Sequence, residues 1–237
     1  MGEQKNLNII NIFRVEKKYE MPYIVSRKLK STLEVALKPD INNKENGYMV
    51  RSLYFDTIFD NDYMDKEDGI EYRKKLRLRT YDLDSNILKL ELKEKKGEMQ
   101  LKRSLIISRE IGERLINSDY SALLEINSDF SREIYYLMTT KLYKPKCIVE
   151  YSRQAFIVEE NNTRITIDSN IKATEADMDI FSKNLQLCSI SYKTILEVKY
   201  NNFLLSYIKD IVNLANSSEV SASKYCMARN IGYFIGG

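Results

Sequence analysis

The chain has 237 residues, with 37 Lys plus Arg against 34 Asp plus Glu, and contains neither His nor Trp. Without histidine there is no Ser-His-Asp triad, no Cys-His pair, no imidazole base and no His-ligated zinc or haem site. Chemistry is left to carboxylates, cations, hydroxyls and any metal held through oxygen.

Residues 11–20 alternate apolar and polar as a half-buried strand does, with Ile12 out of phase, and Met21-Pro22 ends the run. Val25, Leu29, Leu33 and Leu37 then recur every four residues, predicting a helix over 23–38 that Pro39-Asp40 terminates. A strand over 48–56 follows the polar INNKENG turn. Residues 56–69 read as an acidic connection on the exterior. Three segments of strict period-two alternation, 70–82, 87–95 and 99–108, predict an antiparallel meander. Helical spacing occupies 109–142, with Ser131 a candidate cap for its second helix. Strand character returns at 145–159, 164–168, 171–175 and 192–200, and a final amphipathic helix is expected over 203–216. Eight or nine strands with four helices, lacking regular βαβ alternation, predict an α+β fold in which an antiparallel barrel is surrounded by helices. The length fits one domain, 1–237.

Cys147, Cys188 and Cys226 are widely spaced and form no CxxC pair, so neither a disulfide framework nor a zinc knuckle is expected. A reducing, cytoplasmic compartment follows. No apolar run has signal-peptide length near the start, and none approaches the roughly 20 residues of a membrane span, so no intrinsic membrane segment is expected.

The charged residues keep parity within the strands. Glu71, Arg73, Lys75, Arg77 and Arg79 share one face of their strand, opposite Tyr72, Leu76 and Leu78; Lys89, Glu91, Lys93 and Lys95 do the same opposite Leu88, Leu90 and Leu92. Adjacent strands would set cations beside cations. Each strand alone fits a solvated sheet face, but charge recurs at alternate positions through Lys102, Arg153, Arg164, Glu197 and Lys199. Closed around that parity, a barrel would have a basic lumen, which calls for a polyanionic ligand or interspersed carboxylates. Double-stranded nucleic acid is disfavoured, because the net charge is only +3.

The ordered motifs R-x-E-x-K-Y (Arg14, Glu16, Lys18, Tyr19), RSLYFD (from Arg51), Tyr63/Lys66/Gly69, K-x-R-x-R-x-Y (Lys75, Arg77, Arg79, Tyr81), LELK, EYSRQAF, RITID, LEVKY and SKY (Ser223 to Tyr225) resemble the VTC domain. That domain is the catalytic polyphosphate polymerase module of the vacuolar transporter chaperone complex and its bacterial relatives. The resemblance implies the triphosphate tunnel fold, an antiparallel barrel of about eight strands that binds phosphate chains in its lumen. By resemblance Lys18, Arg77, Arg79, Lys93, Lys102, Arg153, Arg164 and Lys224 are phosphate-binding, with Ser223 beside the last. Of these, Lys18, Arg77, Arg79, Lys93, Arg153, Arg164 and Lys224 are also expected to serve catalysis. Arg103 replaces Lys102 if the hairpin register slips by one. Glu197 corresponds to the metal ligand, for Mn2+ or Mg2+, and Glu16, Glu91 and Lys199 lie on matching motifs.

Related tunnel hydrolases carry E-x-E-x-K where this chain has Arg14, which favours a polymerase over a triphosphatase. The implied reaction moves the γ-phosphate of ATP onto inorganic polyphosphate. Hydrolysis of tripolyphosphate or nucleoside triphosphate, and non-catalytic polyphosphate binding, are the alternatives. The length leaves no expected place for the regulatory and membrane parts of the eukaryotic complex, and a separate membrane partner is left open.

Overall fold

The computed structural model describes residues 15–45, 47–97 and 99–230. Arg14 and the start of the first expected strand lie outside them.

The first strand, β1 (Val15–Pro22), runs into helix α1 (Tyr23–Ala36), which buries Leu29 and Leu33 as the four-residue spacing predicts. Pro39 does not only end the helix. With Lys38 it forms a two-residue strand, β2, against Phe156 and Ile157. Strand β3 (Tyr48–Thr57) leads to helix α2 (Asn61–Glu67). The expected meander follows as β4 (Tyr72–Thr80), β5 (Ile87–Lys96) and β6 (Met99–Ser108), all antiparallel. Helix α3 (Arg109–Ile116), a 3-10 turn over Tyr120–Glu125 and helix α4 (Asp129–Thr140) come next. Gly112 in α3 sits so close to β5 that a Cβ there would clash with Leu88 Cδ1.

The remaining elements are β7 (Tyr143–Val158), β8 (Thr163–Thr174), β9 (Cys188–Ser189), β10 (Lys193–Tyr200), α5 (Ser206–Asn213) and α6 (Lys224–Arg229). The two strands expected at 164–168 and 171–175 are one strand, β8, whose pairing with β7 shifts register between Glu150 and Ser152. Helix α5 is shorter than the 203–216 pattern.

Three expectations are corrected. Helix α4 starts after Ser128, and Ser131 lies inside it, buried, its hydroxyl donating back to the Ser128 carbonyl at 2.8 Å. Residues 56–69 are not merely an exterior acidic connection: Asp56 and Asp62 are 0% and 1% exposed. Asp56 accepts from the backbone N–H groups of Thr57, Asp62 and Tyr63, so it fixes the start of α2. The barrel is also not closed. Among the described residues the main sheet path is β1-β10-β8-β7-β3-β4-β5-β6, with no ladder joining β1 to β6. The sheet instead curls until side chains bridge the gap: Lys93 Nζ of β5 donates to Glu16 Oε2 of β1 at 2.9 Å.

Curling follows the parity of the strands. Their apolar faces look outward and are covered by helices. Leu76, Leu78, Leu88 and Leu90 pack with Leu115, Phe130 and Ile134 on one side. On the other, Phe156, Ile165, Leu196 and Val198 pack with Leu29, Leu33 and Ile208. Burying this much branched aliphatic surface drives the curvature, and the charged faces are left to line the concave side. A third cluster lies inside the curl at one end. There Tyr225, Cys226 and Ala228 of α6 pack against Tyr54, Tyr151, Ile171 and Ile195, so α6 occupies part of the concave side. Among the described residues no helix is long and apolar enough to cross a membrane.

Candidate functional site

Strand register brings the charged residues into two groups. In β1 and β10 Glu16 faces Lys199 and Lys18 faces Glu197; in β7 and β8 Arg153 faces Asp168. These strands build the first group around Glu197, which is 6% exposed. Glu197 Oε2 accepts from Lys199 Nζ at 2.8 Å and Arg153 Nη2 at 3.4 Å, while Oε1 accepts from Lys224 Nζ at 3.1 Å and lies 3.8 Å from Lys18 Nζ. Arg153 grips Asp168 with two bonds of 2.6 Å, and Lys224 reaches the same carboxylate at 2.6 Å. Glu16 joins Lys93 at 2.9 Å and Lys18 at 3.3 Å.

The second group surrounds Glu91, 1% exposed on β5. Arg77 Nε donates to it at 2.7 Å, Arg79 lies at 3.6 Å, and Lys102 pairs with its other oxygen. Hydroxyl groups support the arginines: Arg77 Nη1 donates to Tyr54 Oη at 3.0 Å, and Arg79 Nε donates to Ser52 Oγ at 3.1 Å. Lys224 Nζ stands 4.8 Å above the Tyr151 ring, a cation–π contact that ties the groups together through β7.

Lys18, Arg77, Arg79, Lys93, Lys102, Arg153 and Lys224 are thus brought together with Glu197, as are Glu16, Glu91 and Lys199. Ser223 accepts a bond of 2.6 Å from Lys75 Nζ and also caps α6 by accepting from the Cys226 N–H. Arg164 lies opposite Lys199 in the β8–β10 ladder but makes its ion pair outside both groups. It pairs with Asp40 at 2.8 Å and donates to Tyr48 Oη at 3.1 Å, with a third of its side chain exposed. The expectation that cations adjoin cations holds at Lys75 opposite Lys93 and Lys93 opposite Lys102, but Arg77 faces Glu91.

Asp168 was missed by sequence reasoning as a site residue. It lies in RITID at the right parity, and only the β7–β8 register places it under Arg153. Lys75 was missed as well, although it opens the K-x-R-x-R motif.

Counting Lys18, Lys75, Arg77, Arg79, Lys93, Lys102, Arg153, Lys199 and Lys224 against Glu16, Glu91, Asp168 and Glu197, nine basic side chains meet four carboxylates. The surplus governs the acids. Burial pushes Glu197 up, but Lys199, Lys224, Lys18 and Arg153 outweigh it and hold its carboxyl well below the usual range. Glu16 behaves likewise, with burial opposed by Lys199, Lys93 and Lys18. Lys93, desolvated and close to Lys18 and Lys199, is pushed down to about 8 despite Glu16. A polyanion entering the bore would meet preorganised cations whose present partners are too few to neutralise them.

Hard oxygen donors are present for a divalent ion. Glu197 and Glu16 offer carboxylates, and Thr166, opposite Glu197 in β8, has a buried hydroxyl with no hydrogen-bond partner. No cluster of three acidic or Cys side chains that suits a metal occurs among the described residues. The donor chemistry at hand, carboxylate and hydroxyl oxygen, is of the kind that a hard divalent ion such as Mg2+ or Mn2+ takes.

Comparison with known proteins agrees with this geometry. No curated protein matches the sequence. A Bacillus halodurans crystal structure whose name refers to an adenylate cyclase superimposes with a TM-score of 0.56 at 13% identity, covering 90% of this chain and 95% of that one. A Hippeastrum protein, named for adenylyl cyclase and described as having a dominant triphosphatase activity, superimposes with a TM-score of 0.56 at 14% identity, over 92% of this chain and 95% of its own. At these identities the likeness is one of fold. The family model of the VTC domain matches residues 13–233, nearly the whole chain, and the chain belongs to the VTC domain family.

Proposed function

We propose that this chain is a polyphosphate polymerase that transfers the γ-phosphate of ATP to a growing inorganic polyphosphate. The observation that carries the reading is the surplus of basic side chains over carboxylates, eight on the concave face of one curled sheet with Lys224 of α6 added, against four. Phosphoryl transfer needs little covalent help from protein, so positioning and charge stabilisation supply most of the acceleration. Arg77, Arg79 and Arg153 offer forked donors to phosphate oxygens, and Lys18, Lys93, Lys102 and Lys224 act as point charges along the chain. Arg164, with Asp40 at the rim, and Ser223, at the α6 end, extend the track. The attacking terminal phosphate oxygen is already anionic and forms the new P–O bond as the bond to ADP breaks, so no general base is needed and the lack of histidine costs nothing. Glu197, with Glu16, would hold Mn2+ or Mg2+, and such an ion supplies neutralisation of phosphate charge when bound.

A second reading, hydrolysis of tripolyphosphate or a nucleoside triphosphate, is favoured by α6. Tyr225, Cys226 and Ala228 of α6 fill part of the concave side, which leaves less room for a long chain than for a short substrate. A protein of the same fold is described with triphosphatase activity. The separating experiment incubates the protein with ATP and Mn2+, then resolves products on a gel stained for polyphosphate. Long chains support the polymerase, free phosphate alone supports the hydrolase, and binding without turnover leaves a polyphosphate-binding module. The reaction is assigned to 1–237 acting as one unit in a reducing, cytoplasmic setting, consistent with three unpaired cysteines.

A further inference from the structure

The site cations differ in what neutralises them. Each of the other eight in the two groups lies within 4 Å of at least one carboxylate oxygen. Lys75 has none among the described residues; its hydrogen-bond partner is the neutral hydroxyl of Ser223, 2.6 Å away. It projects from the same face of β4 as Arg77 and Arg79, half-buried, and stands opposite Lys93 in the β4–β5 ladder. A half-buried ammonium beside a second ammonium, with no counter-charge, is unfavourable in the protein alone. A phosphate bridging the two would remove that penalty.

We infer that Lys75 is a further phosphate-binding residue, forming with Lys93 and Ser223 a subsite for a phosphate group at the α6 end of the bore. The inference rests on the bore being a phosphate site, as proposed above, and adds a contact beside the start of α6. The groups facing Lys75 are Lys93 from β5, Lys18 from β1, Lys66 from α2, and Ser223 and Cys226 at α6. Burial, together with Lys18, Lys93 and Lys66, pushes its ammonium down to about 7, against a smaller upward pull from Cys226. Lys75 is consequently largely neutral at pH 8 and takes up a proton when an anion arrives.

The test uses sodium tripolyphosphate as the probe, with the full chain at pH 8 and no divalent ion, titrated calorimetrically in buffers of different ionisation enthalpy. Lys75→Met is expected to bind about tenfold more weakly and to take up about one proton less per ligand. Lys75→Arg, which cannot deprotonate, is expected to keep wild-type affinity while losing the same proton uptake. Equal affinity in wild type and Lys75→Met overturns the inference alone, as does undiminished proton uptake in Lys75→Arg, a variant that remains decisive if the Met variant does not fold. Failure of the wild type to bind tripolyphosphate overturns the parent reading and this one with it.

Discussion

Glu197 and Asp62 are both acids with almost no solvent contact, at 6% and 1% exposure, and their protons behave in opposite ways. Glu197 has Lys18, Lys199, Lys224 and Arg153 around it and stays ionised far below the ordinary range. Asp62 sits near Asp56, accepts a 2.7 Å bond from Tyr143 Oη, and leaves its other oxygen without a partner. Burial, with Asp56 adding to it, pushes its carboxyl up to about 7. Burial alone therefore does not mark a functional acid. The count of cations within reach separates an ionised hub that can exchange partners with a polyanion from a protonated strut that holds α2 in place.

Removing the charge at the hub should have the largest effect. Glu197→Gln is expected to lower turnover of ATP by about 10²–10³, the size of effect seen when one preorganised charge-stabilising group is lost, while tripolyphosphate binding persists. The same variant leaves four cations less compensated, so its thermal stability should fall without ligand and recover with tripolyphosphate more steeply than wild type. Unchanged turnover would remove Glu197 from the metal-binding role.

The strut should respond in the opposite direction. Unfolded, Asp62 ionises near 3.8; folded, it keeps its proton to about 7. The stability this proton provides is complete below about pH 4 and is lost as pH rises toward and through 7. Asp62→Asn escapes that loss, so it should be more stable than wild type by roughly 2–4 kcal/mol at pH 8, with the gap closing toward pH 4. Melting curves across that range decide it, and a gap independent of pH would show that the charge of Asp62 is not the cause.

The contrast also shows what the sequence could reveal. The meander β4 to β6 was legible because strict alternation puts leucines on one face and cations on the other, and both faces are used: one against helices, one around the bore. The cation list was legible for the same reason. Asp56 and Asp62 were not, because an acidic run reads as solvated, and the groups that bury them are remote: Tyr225, which donates to Asp56, is 169 residues away. Helix α6 is six residues long, too short for a periodic signal, and its insertion into the curl depends on Tyr54 and Tyr151 from two other strands. The open seam was hidden too, since alternation specifies which face is inside but not whether the end strands pair.

Within the bore, the arginines at Glu91 should matter less than the hub for chemistry and more than the rim for affinity. Arg77→Ala and Arg79→Ala are each expected to weaken tripolyphosphate binding about 10- to 100-fold, because a charge-assisted hydrogen bond contributes about 1.5–3 kcal/mol. The loss should be greatest at low salt and shrink as ionic strength rises. Affinities equal to wild type at all salt concentrations would take these residues out of the site.

The smallest effect tests the hairpin register. Lys102 and Arg103 are neighbours on β6 with opposite fates. Lys102 faces inward and pairs with Glu91, with 40% of its side chain exposed; Arg103 faces outward, where it binds Glu94 at 2.9 Å and Glu133 and lies 5.0 Å from the Phe130 ring. A half-exposed lysine is well screened, so Lys102→Ala should weaken tripolyphosphate binding only about two- to fivefold. Arg103→Ala should leave binding unchanged and lower stability by about 1 kcal/mol, since it deletes two ion pairs and a cation–π contact over α4. Pairing a binding titration with a melting curve on both variants separates the two. If Arg103→Ala were the one to weaken binding, β6 would be displaced by one residue, every side chain on it would change face, and Glu91 would lose the lysine that now completes its group.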